Sequence, residues 1–297
     1  MNQASAPLAV ITVTYSSGDY LTRFIESLPH ATGRDVVVVM ADNGSTDGSP
    51  ERTEAAYDHV HLLRTGGNLG YGTAINVAAR ALAEGQFGEV DPEVLLIANP
   101  DVEFAPGSID TMLDCLERHP EAGCTGPVIV EPDGSIYPSA RAVPTVRNGI
   151  GHALFSSIWP SNPWTQAYQD DADMASERAA GWLSGSCLLV RRQAFEQIGG
   201  FDERYFMYME DVDLGDRLGR AGWANVLCPS AQITHTKGHS TEAVSERMLK
   251  AHHESAYRFQ ADRHAGVLMA PLRAALWVGL RLRCRLAVWC ARRKNCA

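Results

Sequence analysis

The sequence predicts an α/β protein with a mostly parallel central sheet flanked by helices. Three observations carry that prediction. Near-continuous apolar, β-branched runs such as LAVITVTY and DVVVVMADN suit strands buried on both faces. Between them lie stretches whose apolar residues repeat at helical spacing, such as Leu21, Phe24, Ile25 and Leu28. The two kinds alternate from Leu8 to His119, as βαβ units do, and right-handed crossovers then gather the helix-entering loops at the carboxyl edge of the strands.

The elements follow in order. Strands are predicted over residues 8–15, 35–43, 60–64 and 93–101, and helices over 18–28, 50–57, 73–83 and 107–119. Residues 123–145 are rich in Pro and Gly, and a hairpin is expected near EPDGS. Residues 156–180 are polar with few periodic apolar positions, which predicts a mobile loop. A strand over 181–192 and a short helix over 193–198 come next. A helix over 211–221 closes at Gly222, with Asp211 as its N-cap. An extended segment over 226–235 precedes helices over 242–262 and 267–293. This reads as one catalytic-sized domain over 1–241 and a helical, basic extension over 242–297.

Composition narrows the function classes. The net charge is −9, which argues against a general grip on nucleic acid. The charge is uneven: from Ala270 onward there are seven Arg or Lys and no acid, so subtraction leaves −16 for the rest. The seven cysteines include no Cys-x-x-Cys pair, and the start lacks the positive n-region of a signal peptide. Reduced thiols in a cytoplasmic protein are expected, and no uncharged apolar stretch is long enough to predict a spanning helix. The sequence leaves a homo-oligomer open.

The predicted carboxyl edge holds Tyr15, Asp42, the loop GGNLGYG with Asn68 and Gly70, and Asn99 to Asp101. Asp42 ends a strand, where a carboxylate can accept N–H bonds from a nucleotide base or meet ribose hydroxyls; Asp-Asn-Gly also makes an Asx turn, and both readings stand. GGNLGYG precedes a helix and can cradle phosphate, or it can be a simple glycine turn; it lacks both dinucleotide and P-loop spacing. Asp101, in NPD, suits a Mg²⁺ or Mn²⁺ ion bridging a diphosphate, or a capped proline turn.

FMYMEDVDLGDR puts Glu210, Asp211, Asp213 and Asp216 behind an aromatic run. Asp213 and Asp216 stand four residues before Arg217 and Arg220 and read as surface ion pairs. Glu210 and Asp211 lie at the helix start, where a carboxylate can accept a proton from an attacking hydroxyl. His235 follows the last extended segment and is either a packed histidine or a metal ligand; His239 is a weaker second.

The stretches VITVTYSSGDYL, ADNGSTDGS, GGNLGYGTAIN, LIANPDVEF, GWLSGSCLLVRR, GGFDERYFMYMEDVDLGDR and ITHTKGHST occur in an order that resembles the inverting glycosyltransferases of family 2, in their bacterial rhamnosyltransferase branch. The resemblance covers residues 10 to about 240 and implies a GT-A fold, with a dTDP-rhamnose donor, a polyprenyl-diphosphate-linked GlcNAc acceptor and cell-wall linker synthesis. It implies that Tyr15, Asp42, Asn68, Gly70, Asn99 and Asp101 bind the nucleotide sugar, Asp42 at the thymine or ribose. Asp101 would be the metal-binding member of the family's Asp-x-Asp motif, whose first position here is Asn99, and His235 would sit by the metal. Asp211 would be the general base and Glu210 its orienting partner, with Trp182 and Gly185 lining the acceptor side.

The tail, LRAALWVGLRLRCRLAVWCARRK, mixes Leu, Val and Trp with Arg, and Arg281, Arg285 and Arg292 share one helix face. It reads as an interfacial helix on the inner face of the plasma membrane, or as a helix docked on the body. Rival classes are a nucleotidyltransferase, a glycoside hydrolase and a non-catalytic sugar-nucleotide binding module. The first would favour a Gly-rich, Lys- or Arg-bearing loop after the first strand, and VTYSSGDYL has none. Tight dTDP binding separates the second, and turnover the third.

Overall fold

A computed structural model describes residues 6–146, 173–236 and 246–294. Strands β1 (Leu8–Thr14), β2 (Val36–Asp42), β3 (Val60–Arg64) and β4 (Val94–Ala98) form the parallel half of a mixed ten-stranded sheet. Helices α1 (Asp19–Ala31), α2 (Ser49–Ala56) and α3 (Tyr71–Ala83) connect them. Both faces of β1 are buried. Leu8 and Val10 join one core cluster with α1, and Ala9 and Ile11 join the other with α3. That is why this strand reads as an unbroken apolar run rather than an alternating one.

The expected fourth strand is two strands. β4 ends at Ala98, the chain turns through Asn99 to Asp101, and β5 (Val102–Phe104) pairs antiparallel with a distant strand at the sheet edge. Helix α4 (Ser108–Arg118) follows. The Pro- and Gly-rich region does contain the hairpin, between β6 (Ala122–Val130) and β7 (Ile136–Tyr137), yet β6 is a long central strand with eight of its nine residues buried. Its glycines serve packing: a Cβ at Gly123 would collide with the Trp223 side chain. β8 (Ala140–Arg141) follows and pairs with β10 (Trp182–Leu183) in a two-stranded sheet.

The expected loop over 156–180 lies outside the described residues up to 172. Its end, β9 (Arg178–Ala180), is a strand. β11 (Cys187–Arg191) inserts antiparallel between β4 and β6, and α5 (Arg192–Gln197) leaves it. Helix α6 (Glu210–Arg220) and β12 (Ala224–His235) complete the main layers, β12 running parallel to β6.

Helix α7 (Glu246–Arg263) packs on the segment ahead of α6, where Phe259 joins Tyr205 and Val212 in a third buried cluster. The Ser255 hydroxyl donates to the Met207 carbonyl (2.9 Å), and Arg263 pairs with Asp216. Helix α8 (Ala270–Lys294) lies against α7 and points Trp277, Val278, Leu282, Leu286 and Trp289 outward. Among the described residues no helix is long and apolar enough to cross a membrane.

Candidate active site

The carboxyl edge of the parallel half carries the first wall of a cleft. The Asp42 carboxylate is 2 % exposed and fully engaged: Oδ1 accepts from the Thr14 hydroxyl (3.0 Å) and the Ser45 N–H (3.1 Å), and Oδ2 from the Gly44 N–H (3.3 Å). The Asx turn is therefore present, and it fixes the loop after β2. Asn43 then clamps the glycine loop. Its amide donates to the Gly70 carbonyl (3.1 Å), and its Oδ1 accepts from the Thr65 hydroxyl (3.0 Å) and the Leu69 N–H (3.4 Å).

Three N–H groups of GGNLGYG are thus spoken for. Leu69 donates to Asn43, Gly70 to Asn68 Oδ1 (3.2 Å), and Tyr71 to the Phe206 carbonyl (3.3 Å). A ligand here would meet side chains and the remaining N–H groups rather than a row of open donors. Gly70 has φ 87°, and a Cβ on it would run into the Phe206 carbonyl, so only glycine lets this loop close on the FMYMED segment. Tyr15 is 52 % exposed at the same edge.

The second wall begins with strain. Among the described residues three non-glycines have positive φ: Ser16 in the first loop, and Tyr208 and Met209 in succession at φ 67° and 66°. Two such residues cost on the order of 1–3 kcal/mol each. They fold the chain sharply into α6, which starts at Glu210, so Met209 and not Asp211 occupies the N-cap position. Asp211 is free of the capping duty expected of it. Its Oδ2 accepts from the Gly185 N–H (3.0 Å) and its Oδ1 from the Val212 N–H (2.8 Å). Gly185 packs closely there: a Cβ would lie 3.2 Å from Asp211 Cβ, tighter than most such contacts.

Glu210 and Asp211 are partly buried neighbours of like charge. Burial, and then the Asp211 charge, push the Glu210 carboxyl up to about 8. Burial also raises Asp211, opposed by the Gly185 and Val212 N–H groups and the charge of Arg141. Glu210 Oε2 has no hydrogen-bond partner. At neutral pH Glu210 therefore keeps its proton, while the Gly185 and Val212 N–H groups orient Asp211 and favour its charged form against the burial that opposes it.

Tyr71, which the sequence reading passed over, joins the walls. Its hydroxyl donates to the Gly185 carbonyl (2.6 Å), while the N–H of the same glycine donates to Asp211. Burial, followed by the charges of Glu210, Cys187, Asp211 and Asp101, holds its phenol well above its ordinary range. The same turn reaches the metal-side residues, because the Ser186 carbonyl accepts from the Asn99 N–H (2.9 Å). Asp101 Oδ1 lies 3.1 Å from His235 Nε2, set across the β5–β12 pairing of Val102 with His235. A carboxylate oxygen and an imidazole nitrogen held this close could both ligate one divalent cation.

Other expectations fare unevenly. Trp182 is committed to support: its indole N–H donates to the Ala142 carbonyl (3.1 Å), and its Cα and Cβ press on Gly215 of α6. Asp213 and Asp216 keep Arg217 and Arg220 as partners, but they are not on the surface; they are 5 % and 6 % exposed, with Arg217 also donating to the Ile198 carbonyl just past α5 and Arg263 of α7 pairing with Asp216. His239 lies outside the described residues.

The mixed, mostly parallel sheet flanked by helices, with carboxylates at its strand ends and at a strained helix start, has the GT-A fold. The chain belongs to glycosyl transferase family 2, whose model matches residues 9–199; a glycosyl transferase family group 2 model matches 155–292. It is 56 % identical to the N-acetylglucosaminyl-diphospho-decaprenol L-rhamnosyltransferase of Mycobacterium tuberculosis, over 97 % of this chain and 95 % of that one. It is 25 % identical to the rhamnosyltransferase WbbL of Escherichia coli, over 85 % of this chain and 92 % of that one. In fold it is similar to GalNAc-T7, solved with UDP, GalNAc and Mn²⁺ (TM-score 0.60, 15 % identity, 96 % of this chain and 55 % of that one). It is also similar to a mannosyltransferase of Pyrobaculum calidifontis solved with GDP-Man and Mn²⁺ (TM-score 0.57, 14 % identity, 98 % and 74 %).

Proposed function

We propose that this enzyme transfers L-rhamnose from dTDP-rhamnose to a hydroxyl of polyprenyl-diphosphate-linked GlcNAc, with inversion at the anomeric carbon. The observation that carries the chemistry is the backbone link from Asn99, whose N–H meets the Ser186 carbonyl, through Gly185 to the Asp211 carboxylate, and it supports Asp211 as the base. The mycobacterial relative supports the choice of donor and acceptor.

Asp211 accepts the acceptor proton as the hydroxyl oxygen bonds to the anomeric carbon, and the bond from that carbon to the diphosphate oxygen breaks on the opposite face. The electron pair leaves with dTDP. Glu210, holding its proton, spares Asp211 a second negative neighbour. Asp42 lies at the nucleoside end, with Tyr15, Asn68, Gly70 and Asn99 along the donor. Asp101 and His235 would hold Mg²⁺ or Mn²⁺, which when bound supplies positive charge to the departing diphosphate.

A cavity of about 470 Å³ between α7 and the Arg204–Phe206 segment, lined by Arg247, Lys250 and Arg258 and by Glu246 and Glu254, offers room for the acceptor. The outward face of α8 carries Arg281 and Arg285 beside Val278, Leu282 and Leu286, a composition suited to the surface of an anionic membrane, where a lipid-linked acceptor is presented. The test is a donor panel with a lipid-diphosphate GlcNAc acceptor, read by mass spectrometry. A deoxyhexose gained only from dTDP-rhamnose supports the proposal; a hexose gained from a UDP donor overturns the donor assignment. Removal of residues 270–297 is expected to release the protein from vesicles, and continued pelleting at low salt would refute the membrane role.

A further inference from the structure

Two buried thiols play no part in this chemistry. Cys115 lies in the last turn of α4, and Cys228 lies on β12 where the pairing with β6 shifts register before Gln232. Bulges of this kind re-aim side chains. The Cys228 thiol has a weak bond to the Thr111 carbonyl (3.7 Å). Facing both is Glu177, just ahead of β9, and one ligand atom from each of the three lies within 4.8 Å of the others. It is the one such group of three among the described residues.

We propose that Cys115, Cys228 and Glu177 form a binding site for a soft divalent cation of the zinc class, separate from the active-site ion. The donor set is the first reason. Two thiolates and a carboxylate select zinc over magnesium or manganese, which prefer oxygen ligands. Size is the second. Tetrahedral zinc with bonds of about 2.3 Å to sulfur and 2.0–2.2 Å to oxygen needs ligand atoms about 3.5–3.8 Å apart. Closure from the observed spread therefore takes side-chain adjustment of about 1 Å or less.

The surroundings are the third reason. Glu177 is held on both oxygens, by His119 Nε2 (2.8 Å) and by Arg118 (2.6 Å), as ligating carboxylates usually are. Two thiolates, one carboxylate and Zn²⁺ sum to one negative charge, which Arg118 offsets. The carboxyl end of α4 adds its negative pole to the site. Metal capture displaces one proton from each thiol to solvent and involves no redox step. The fourth position is left to water, since both ring nitrogens of His119 are engaged, by Glu177 and Glu121. Seven residues of β12 separate Cys228 from His235, on the order of 20 Å along a strand, so the two metal sites are distinct. A bound ion would tie α4, the β12 bulge and the start of β9 together.

The test uses the full chain, purified without metal-affinity resin and loaded with zinc, then with cobalt. About one tightly held zinc per chain is expected, together with a thiolate-to-cobalt charge-transfer band. Cys115→Ser and Cys228→Ser should abolish the band and weaken zinc binding at least tenfold. Glu177→Gln, at a partly exposed position that folding tolerates, should weaken it by about 10–100-fold. Asp101→Ala should leave it unchanged. No tight zinc in the wild type, a band that survives Cys228→Ser, loss of zinc in Asp101→Ala, or a Cys115–Cys228 disulfide found by peptide mapping would each overturn the proposal.

Discussion

The two walls of the cleft are built on opposite terms. On the donor wall, Asp42 is buried and both its oxygens accept hydrogen bonds, from Thr14, Gly44 and Ser45. On the facing wall, Glu210 is partly buried beside a like charge with one oxygen unpartnered, after two consecutive residues in the left-handed region. The first arrangement holds a shape. The second holds a carboxylate pair away from its relaxed protonation state, which is what a proton-transfer site needs. Helix α6 repeats the lesson within one element. Its first two carboxylates face the cleft, whereas Asp213 and Asp216 are buried and neutralised by Arg217, Arg220 and Arg263.

The comparison breaks first at Asp211. Asp211→Asn should lower the transfer rate at least about 10²-fold, the usual scale for a positioned base, with dTDP affinity nearly unchanged. A variant that turns over near the wild-type rate would remove Asp211 from the chemistry. Tyr71→Phe comes next. It deletes only the bond to the Gly185 carbonyl, worth about 0.5–1.5 kcal/mol, so kcat should fall by up to about tenfold with the donor KM unchanged. A change confined to the donor KM would mean that Tyr71 serves binding rather than the orientation of Asp211.

Motif order brings forward Asp211, Asp101 and His235 as candidates, and the βαβ alternation was legible in the sequence because it rests on local pattern. β6 was not, since its glycines read as turn signals although they make room for Trp223 and Leu183. The start of α6 was placed one residue late, because no propensity announces two non-glycine residues at positive φ in succession. The burial of Asp213 and Asp216 depends on α7, which arrives from about fifty residues away. Tyr71 and Asn43 were hidden for the same reason: their partners at Gly185 and Gly70 are set by tertiary contact. A tyrosine opening a helix directly after GGNLG was the signal available for the first, but sequence alone does not say what its hydroxyl reaches.

Glu210→Gln should have a smaller effect with a definite sign. In the folded chain Glu210 keeps its proton up to about pH 8, whereas its ordinary value is 4.5. The folded state thus binds more protons across that window, and stability falls as pH rises through it. The glutamine variant should lose that slope and melt higher than wild type at pH 8; each kcal/mol gained is worth about 2–4 °C in a chain of this size. Because Glu210 is already neutral on the acidic limb of the kcat profile, that limb should stay in place. Parallel melting curves for the two proteins between pH 5 and about 8 would show that Glu210 is not held neutral by its surroundings.

The smallest effect on rate is expected at Asp42, and it tests the donor wall directly. Asp42→Asn keeps an oxygen for Thr14 and Ser45 but loses the second acceptor that meets Gly44. That loss costs about 1 kcal/mol of stability. If the carboxylate also accepts from the nucleotide base, the donor KM should rise several-fold while kcat stays close to wild type. This is the reverse of the pattern expected for Tyr71→Phe. A nucleotide panel by calorimetry should then show affinity for dTDP falling, with no matching change in the pH profile set by Glu210 and Asp211. Should kcat fall instead with KM intact, the loop after β2 would be acting on the chemistry through Asn43 and Tyr71, and the two walls would have to be treated as one mechanical unit.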